Sequence, residues 1–146
     1  MKTYFVMLVL LLVAITPTTT LARNSVDRYL IKEALAQEKA KAKLDGRIKF
    51  FFGDKYNGKV KKSYGVFKTN KKTNAFLKSD KEACEWVFLT AMKSLQSRAL
   101  QQGGNAVINI RSNYKNNEMN LTDHFTCGAG AVIAGTSLKG EVVRME

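Results

Sequence analysis

Histidine and cysteine, the side chains that most often build catalytic and metal sites, are scarce in this sequence. Among its 146 residues there are one histidine and two cysteines, and the chain contains neither a Gly-x-Ser-x-Gly motif nor a Cys-x-x-Cys pair. A metal site built from Cys84, Cys127 and His124 would lack a fourth ligand. The sequence therefore predicts a non-enzymatic protein without cofactor or metal. An uncharacterised hydrolase with His124 as a lone general base is the less favoured alternative.

Long apolar runs are also lacking, except near the beginning of the chain. Residues 4–15 form an apolar run after Lys2, followed by Pro17 and by small residues at positions 20 and 22. This is the pattern of a cleavable secretory signal, and the run is shorter than the ~20 residues of a membrane-spanning helix. The sequence predicts a signal peptide over 1–22, export to the periplasm or the extracellular space, and no permanent membrane span. An uncleaved membrane anchor is the alternative.

The two cysteines lie in the part of the chain that follows this signal. In an oxidising compartment an isolated pair of cysteines most simply forms a disulfide, so we expect Cys84 to be bonded to Cys127. The bridge would close a loop of about 44 residues, which corresponds to roughly 4 kcal/mol in the chain-entropy estimate. For a small domain this is a large share of the net stability.

Apolar periodicity divides the rest of the chain into helices and strands. A capping-box pattern at Ser79 and Glu82, an apolar stripe at helical spacing and a glycine pair at 103–104 predict one long helix. A stretch rich in alanine, lysine and glutamate predicts another helix over 26–44. Alternating apolar residues predict strands over 47–53, 60–69, 105–114, 121–127 and 131–138.

This order of elements predicts an α+β fold in a single small domain over 46–146, preceded by a helical segment over 23–45. We expect an antiparallel or mixed sheet of about four to five strands, with the long helix packed on it. Neither an internal repeat nor a linker divides the domain.

One stretch matches the opening of a phosphate-binding P-loop, G-x-x-x-x-G-K, at Gly53, Gly58 and Lys59. A P-loop needs a serine or threonine hydroxyl to hold Mg²⁺, and a following helix whose N-terminus faces the phosphates. Val60 stands at the metal-ligand position, and a β-like run follows it. The sequence therefore predicts a glycine turn here and no nucleotide site.

Acidic residues are half as numerous as basic ones, 12 against 24, and most of the excess lies in one segment. Residues 47–81 contain eleven basic and two acidic residues, with aromatic residues interleaved. Such a segment is suited to binding an anionic polymer, such as lipopolysaccharide or nucleic acid. A merely solubilising surface is the alternative. The candidate partners of phosphate or carboxylate groups are six lysines: Lys59, Lys61, Lys62, Lys68, Lys71 and Lys72.

An ordered set of short motifs over 44–140 resembles a family of small exported bacterial proteins. The motifs are KLDG at 43–46, FGD at 52–54, TNKKTNAF at 69–76, KSD at 78–80 with Cys84, Trp86 and Phe88, GNAVINI at 104–110, YKNNE at 114–118, and Cys127 with AGA at 129–131. Members of this family often carry the label excinuclease ATPase subunit. The incomplete phosphate loop, the lack of zinc-finger cysteines and the export signal contradict that activity for this chain.

The block from the long helix to the last strand is also similar, more distantly, to the sensor domain of the Rcs-pathway outer-membrane stress lipoprotein. That resemblance implies a disulfide-bonded α+β envelope module that works through protein contacts. This chain departs from it by having two cysteines and none near residue 22 for lipid attachment. We therefore predict an exported binding or envelope-stress module whose partner is an envelope protein or an anionic polymer.

Overall fold

The computed structural model describes residues 24–146, and the predicted signal peptide over 1–22 lies outside them. The elements in chain order are β1 (Asn24–Leu30), α1 (Ile31–Ala36), α2 (Glu38–Lys43), β2 (Lys49–Phe52), β3 (Val60–Asn74), α3 (Asp80–Gln102), β4 (Ala106–Ser112), β5 (His124–Gly130) and β6 (Ile133–Met145). They form a small α+β domain, as the sequence predicts. Within 24–146, no helix has both the length and the apolar character needed to cross a membrane.

The six strands form one mixed sheet that curls into a half-barrel around β6. Along one side, β6 pairs with the whole of β3. Along its other side, it pairs first with β5 and then with β4. The sheet continues from β5 to β1, and from β4 to β2 in a parallel pairing. The last strand of the chain therefore holds both halves of the sheet together.

Helix α3 begins and ends at the predicted signals. Ser79 accepts a hydrogen bond from the backbone N–H of Glu82 at 3.1 Å, and Gly103 ends the helix in the left-handed conformation, at φ 82°. The helix packs across β3, β5 and β6. The predicted disulfide between Cys84 and Cys127 is present and joins this helix to β5.

The predicted helix over 26–44 is wrong in its first part. Asn24–Leu30 is a strand that pairs antiparallel with β5 along its full length, and Tyr29 packs on Phe125 with 5.8 Å between ring centroids. These contacts across the fold outweigh a local preference for helix. The remaining residues form two short helices, separated where the backbone of Gln37 is extended. Of the predicted helical segment over 23–45, the described part from Asn24 onward is thus part strand and part helix.

The predicted strands are all found, but their ends differ. The largest differences are in β3, which continues past its predicted end at 69 to Asn74, and in β6, which continues past 138 to Met145. The added residues of β3 pair with the first part of β6, over 133–137. The added residues of β6 pair with the first part of β3 and with β4. Polar residues and lysines fit β3 because one edge of this strand has no strand partner among the described residues.

Candidate anion-binding site

The six candidate lysines lie on β3 or immediately before it. A strand of 15 residues extends roughly 45–50 Å, so the lysines do not form one cluster. The structure separates them into two sets, named here by their order in the chain. The first lysine group is Lys59, Lys61 and Lys62, and the second lysine group is Lys68, Lys71 and Lys72.

The first lysine group lies near the C-terminal end of α3. Lys62 is opposite Arg144 of β6, and its ammonium lies 4.9 Å from the centroid of the Tyr64 ring. The Arg144 guanidinium in turn donates two hydrogen bonds to the carbonyl of Gly103, the residue that ends α3. Arg144 is therefore engaged with the helix end, where a cation is favourable.

Two members of the second lysine group, Lys71 and Lys72, line an open cavity of about 710 Å³ on the sheet. Lys68, Asn70 and Lys72 alternate along β3 and therefore share a face of the sheet. They lie opposite Lys139, Ser137 and Gly135 of β6 in the antiparallel register. The eight residues that line the cavity include three lysines and no acidic residue: Asn70, Lys71, Lys72, Tyr114, Lys115, Gly135, Thr136 and Ser137.

Lys115 comes to this cavity from the turn Tyr114–Asn116 between β4 and β5. Lys115 and Asn116 both have left-handed backbones, at φ 51° and 59°, a conformation that costs free energy outside glycine. The turn is fastened to β3 because the Lys68 ammonium donates to Asn116 Oδ1 at 3.0 Å. The strained turn thus places a third lysine beside two from a distant part of the chain.

Tyr114 forms the wall of the cavity next to Lys115. A Cβ atom at Gly128 of β5 would overlap the hydroxyl of Tyr114, so the tyrosine ring occupies the space that a side chain at position 128 would fill. Gly128 lies opposite Gly135, which itself lines the cavity. The glycine pair therefore lets the aromatic ring lie directly on the sheet.

Two buried polar groups next to the cavity lack hydrogen-bond partners among the described residues. They are Ser137 Oγ and Asn113 Nδ2, on residues that are only 2% and 5% exposed. The two residues are adjacent, since the Asn113 backbone N–H donates to the Ser137 carbonyl at 2.8 Å. Leaving such a group unpaired costs about 1–3 kcal/mol.

Beyond the cavity, along the same strands, the basic side chains are neutralised by acidic ones. Glu118 accepts a hydrogen bond from Lys139 at 2.8 Å and also lies 3.6 Å from Arg111. The hydrogen bond from Lys139 holds the pKa of Glu118 below its ordinary value. Among the described ion pairs, by contrast, none involves Lys71, Lys72 or Lys115. Within 24–146, the positive charge of these three lysines is therefore not neutralised by a carboxylate.

The other side chains considered for chemistry are engaged elsewhere. Cys84 and Cys127 form the disulfide, so neither offers a thiolate. His124 is bonded to the Asp123 carboxylate at 2.8 Å, and this contact lowers the pKa of Asp123. Within 24–146, no cluster of three or more metal-binding side chains occurs.

The glycine stretch that resembled a P-loop is a turn within the sheet. The backbone N–H of Gly53 donates to the carbonyl of Ile110 at 2.8 Å, and Lys59 is followed by β3 and not by a helix. An engaged amide and a following strand are both unlike the free amides and helix N-terminus that bind phosphate.

Comparisons with protein-family models, curated proteins and solved structures found no match. The candidate site is therefore assigned from geometry alone. The β3 lysines of this site could be predicted from the sequence, whereas Lys115, Tyr114 and Ser137 could not. The only local signal was the asparagine-rich composition around Lys115, which indicates a turn but not its position beside β3.

Proposed function

We propose that this protein is a non-enzymatic binding module of the periplasm or the extracellular space, and that it holds anionic groups in the cavity of the second lysine group. The observation that carries the proposal is the lining of that cavity, which combines three lysines from two distant segments with no acidic residue. Electrostatic attraction of this kind favours phosphate, sulfate or carboxylate groups on a polymer. A role in sensing envelope stress is the biological setting that the family resemblance suggests.

The chemistry of the cavity supports binding of an anion in two ways. The ammonium groups supply charge, and the Tyr114 ring supplies an apolar wall. Lysine acts as a point charge, whereas arginine binds phosphate in a fixed bidentate geometry. We therefore infer selectivity for charge density and not for a nucleotide sequence.

Export is part of the same proposal. A disulfide between two buried cysteines supports maturation in an oxidising compartment, and the pattern of residues 1–22 is that of a secretory signal. Nucleotide hydrolysis is not expected in that setting. N-terminal sequencing of protein recovered from the periplasm and the medium tests both the cleavage near residue 23 and the location.

The two lysine groups provide matched variants for the binding test. Lys72→Glu/Lys115→Glu is expected to weaken binding of lipopolysaccharide and of inorganic polyphosphate about a hundredfold, since each reversal removes an attraction and adds a repulsion. Lys61→Glu/Lys62→Glu changes the net charge equally, again at exposed positions, and is expected to change binding less than about threefold. Affinity is measured by titration at several salt concentrations.

The salt dependence separates a cavity from a diffuse basic surface. For the cavity, the slope of log affinity against log salt should become shallower by about two in Lys72→Glu/Lys115→Glu only. Equal losses of affinity in both double variants would instead show that the anion binds along the whole of β3. Unchanged binding in both would reject an anion site, and crosslinking in intact cells would then be used to identify a protein partner.

Removing an acidic neighbour should have the opposite effect. Glu118→Gln frees Lys139 from its carboxylate partner, whereas Arg111 stays paired with Asp54, and the substitution is expected to raise polyanion affinity about threefold. Glu38→Gln is the control, because Glu38 is an exposed glutamate paired with Lys41 on a separate helix. A gain of the same size in the control would show that only net charge matters.

A further inference from the structure

Exposed apolar side chains are concentrated at one end of the domain. Among the described residues, seven large apolar side chains are exposed, and four of these lie at two neighbouring turns. Phe76 and Leu77, between β3 and α3, are 59% and 91% exposed. Val132, in the turn after β5, and Ile133, the first residue of β6, are 57% and 55% exposed. These four residues, together with Ala131, are named the apolar tip. Groups of this kind commonly mark interaction surfaces.

The two turns are joined into one structure. The Ala75 backbone N–H donates to the Val132 carbonyl at 2.7 Å, and Asn74 pairs with Ile133 at the ends of β3 and β6. The Asn74 side chain also accepts a hydrogen bond from the Phe76 backbone N–H at 2.8 Å. The four apolar side chains are therefore presented on a hydrogen-bonded scaffold.

Leu77 is held in an unfavourable arrangement for an isolated domain in water. Its backbone is left-handed, at φ 58°, which costs free energy for a leucine, and 91% of its surface is exposed. The chain continues at once into Lys78, whose backbone N–H donates to the carbonyl of Ala75 at 3.1 Å. The turn thus keeps an apolar side chain away from the core.

The charges around the apolar tip favour an anionic partner. Residues 70–79 contain three lysines and no acidic residue, and residues 125–138 contain no charged residue. The tip is made of protruding turns, and Lys72 and Lys78 stand on either side of Phe76 and Leu77 in the sequence. Apolar side chains that enter the acyl boundary, with lysines at the level of the headgroups, are the arrangement by which proteins bind a lipid surface.

The start of the described chain lies at the same end. Asn24 pairs with Gly130, the residue before Ala131 of the tip. The described part of the chain therefore begins beside the tip.

We propose that the apolar tip docks this domain on the surface of an anionic phospholipid bilayer. Phe76, Leu77, Val132 and Ile133 enter the interface, and Lys72 and Lys78 contact the lipid phosphates. This docking shares Lys72 with the anion-binding cavity, but none of its four apolar side chains lines that cavity.

Vesicle sedimentation tests the docking. Purified protein covering residues 23–146 is mixed with vesicles of phosphatidylcholine alone or of phosphatidylcholine with phosphatidylglycerol, and binding is expected only to the second. Phe76→Ser/Leu77→Ser is expected to lower the partition coefficient at least about tenfold, since two apolar side chains are lost from the interface. Val66→Ser, at a residue 56% exposed on β3 and outside the tip, is expected to leave it within about twofold.

A fluorescent reporter distinguishes insertion from adsorption through the cavity lysines. The tryptophan emission of Leu77→Trp is expected to shift to shorter wavelength when anionic vesicles are added. The emission of the unmodified protein is expected to stay unchanged. Circular dichroism confirms that each variant is folded. Vesicle binding that is lost in Lys72→Glu/Lys115→Glu, but unaffected by the two serines and without an emission shift, would overturn docking by the tip. Absence of vesicle binding would overturn it as well.

Discussion

Replacing Cys84 and Cys127 together with alanine is expected to lower the free energy of unfolding by about 4 kcal/mol. The bond joins residues 43 positions apart and ties α3 to β5, so its loss releases a long loop in the unfolded chain. Both residues are fully buried, and alanine avoids placing an unpaired hydroxyl in the core. Denaturation in guanidinium, followed by circular dichroism, measures the difference.

Reduction provides an internal control for this prediction. Dithiothreitol should destabilise the unmodified protein by a similar amount and leave the double alanine variant unchanged. If both the variant and the reduced protein stay within about 1 kcal/mol of the oxidised protein, the bridge is not a main source of stability.

Phe88→Ala is expected to destabilise the domain by about 3–5 kcal/mol. Phe88 is fully buried on α3; its ring stacks on Phe125 of β5 at 4.1 Å and lies 6.1 Å from the ring of Phe52 on β2. The side chain therefore fills the space between the helix and two separate strands. Truncation removes these contacts and leaves a cavity that the sheet cannot close completely.

Phe76→Ala is the matched control, because it makes the same substitution at a residue that is 59% exposed. It is expected to change the free energy of unfolding by less than about 0.5 kcal/mol. Equal effects of the two substitutions would contradict the assignment of Phe88 to the core and of Phe76 to the surface. Phe88→Ala should not be combined with the double alanine variant of the cysteines, because the effects of neighbouring substitutions on the free energy of unfolding are not additive.

The anion-binding cavity uses lysines of β3, and the apolar tip uses the turn that follows the same strand. Lys72 borders the cavity and lies four residues before Phe76 of the tip. A molecule bound at a membrane by its tip would hold the cavity close to the anionic surface. The vesicle and polymer assays together show whether the two surfaces act separately, since Lys115 belongs to the cavity alone and Leu77 to the tip alone.

Structural features that depend only on residues close together in the chain were determined by the sequence itself. The serine cap and the glycine stop of α3 are local hydrogen-bonding and backbone preferences, and they act within one turn of helix. Alternating apolar residues reveal strands because one face of a sheet is buried. The disulfide could be predicted because the chain offers only two cysteines, so their pairing needs no knowledge of the fold.

The tertiary structure alone decided the features that join distant residues. Asn24–Leu30 became a strand because β5, about one hundred residues later, offered an unpaired edge. The six candidate lysines fall into two separate groups because β3 is long and extended. Lys115 lies beside Lys71 and Lys72 at the cavity because of a strained turn that no local sequence pattern reveals. The apolar tip likewise combines two turns that meet where β3 and β6 end. Strand pairing brings these groups together, and pairing depends on the whole sheet and not on any short stretch of residues.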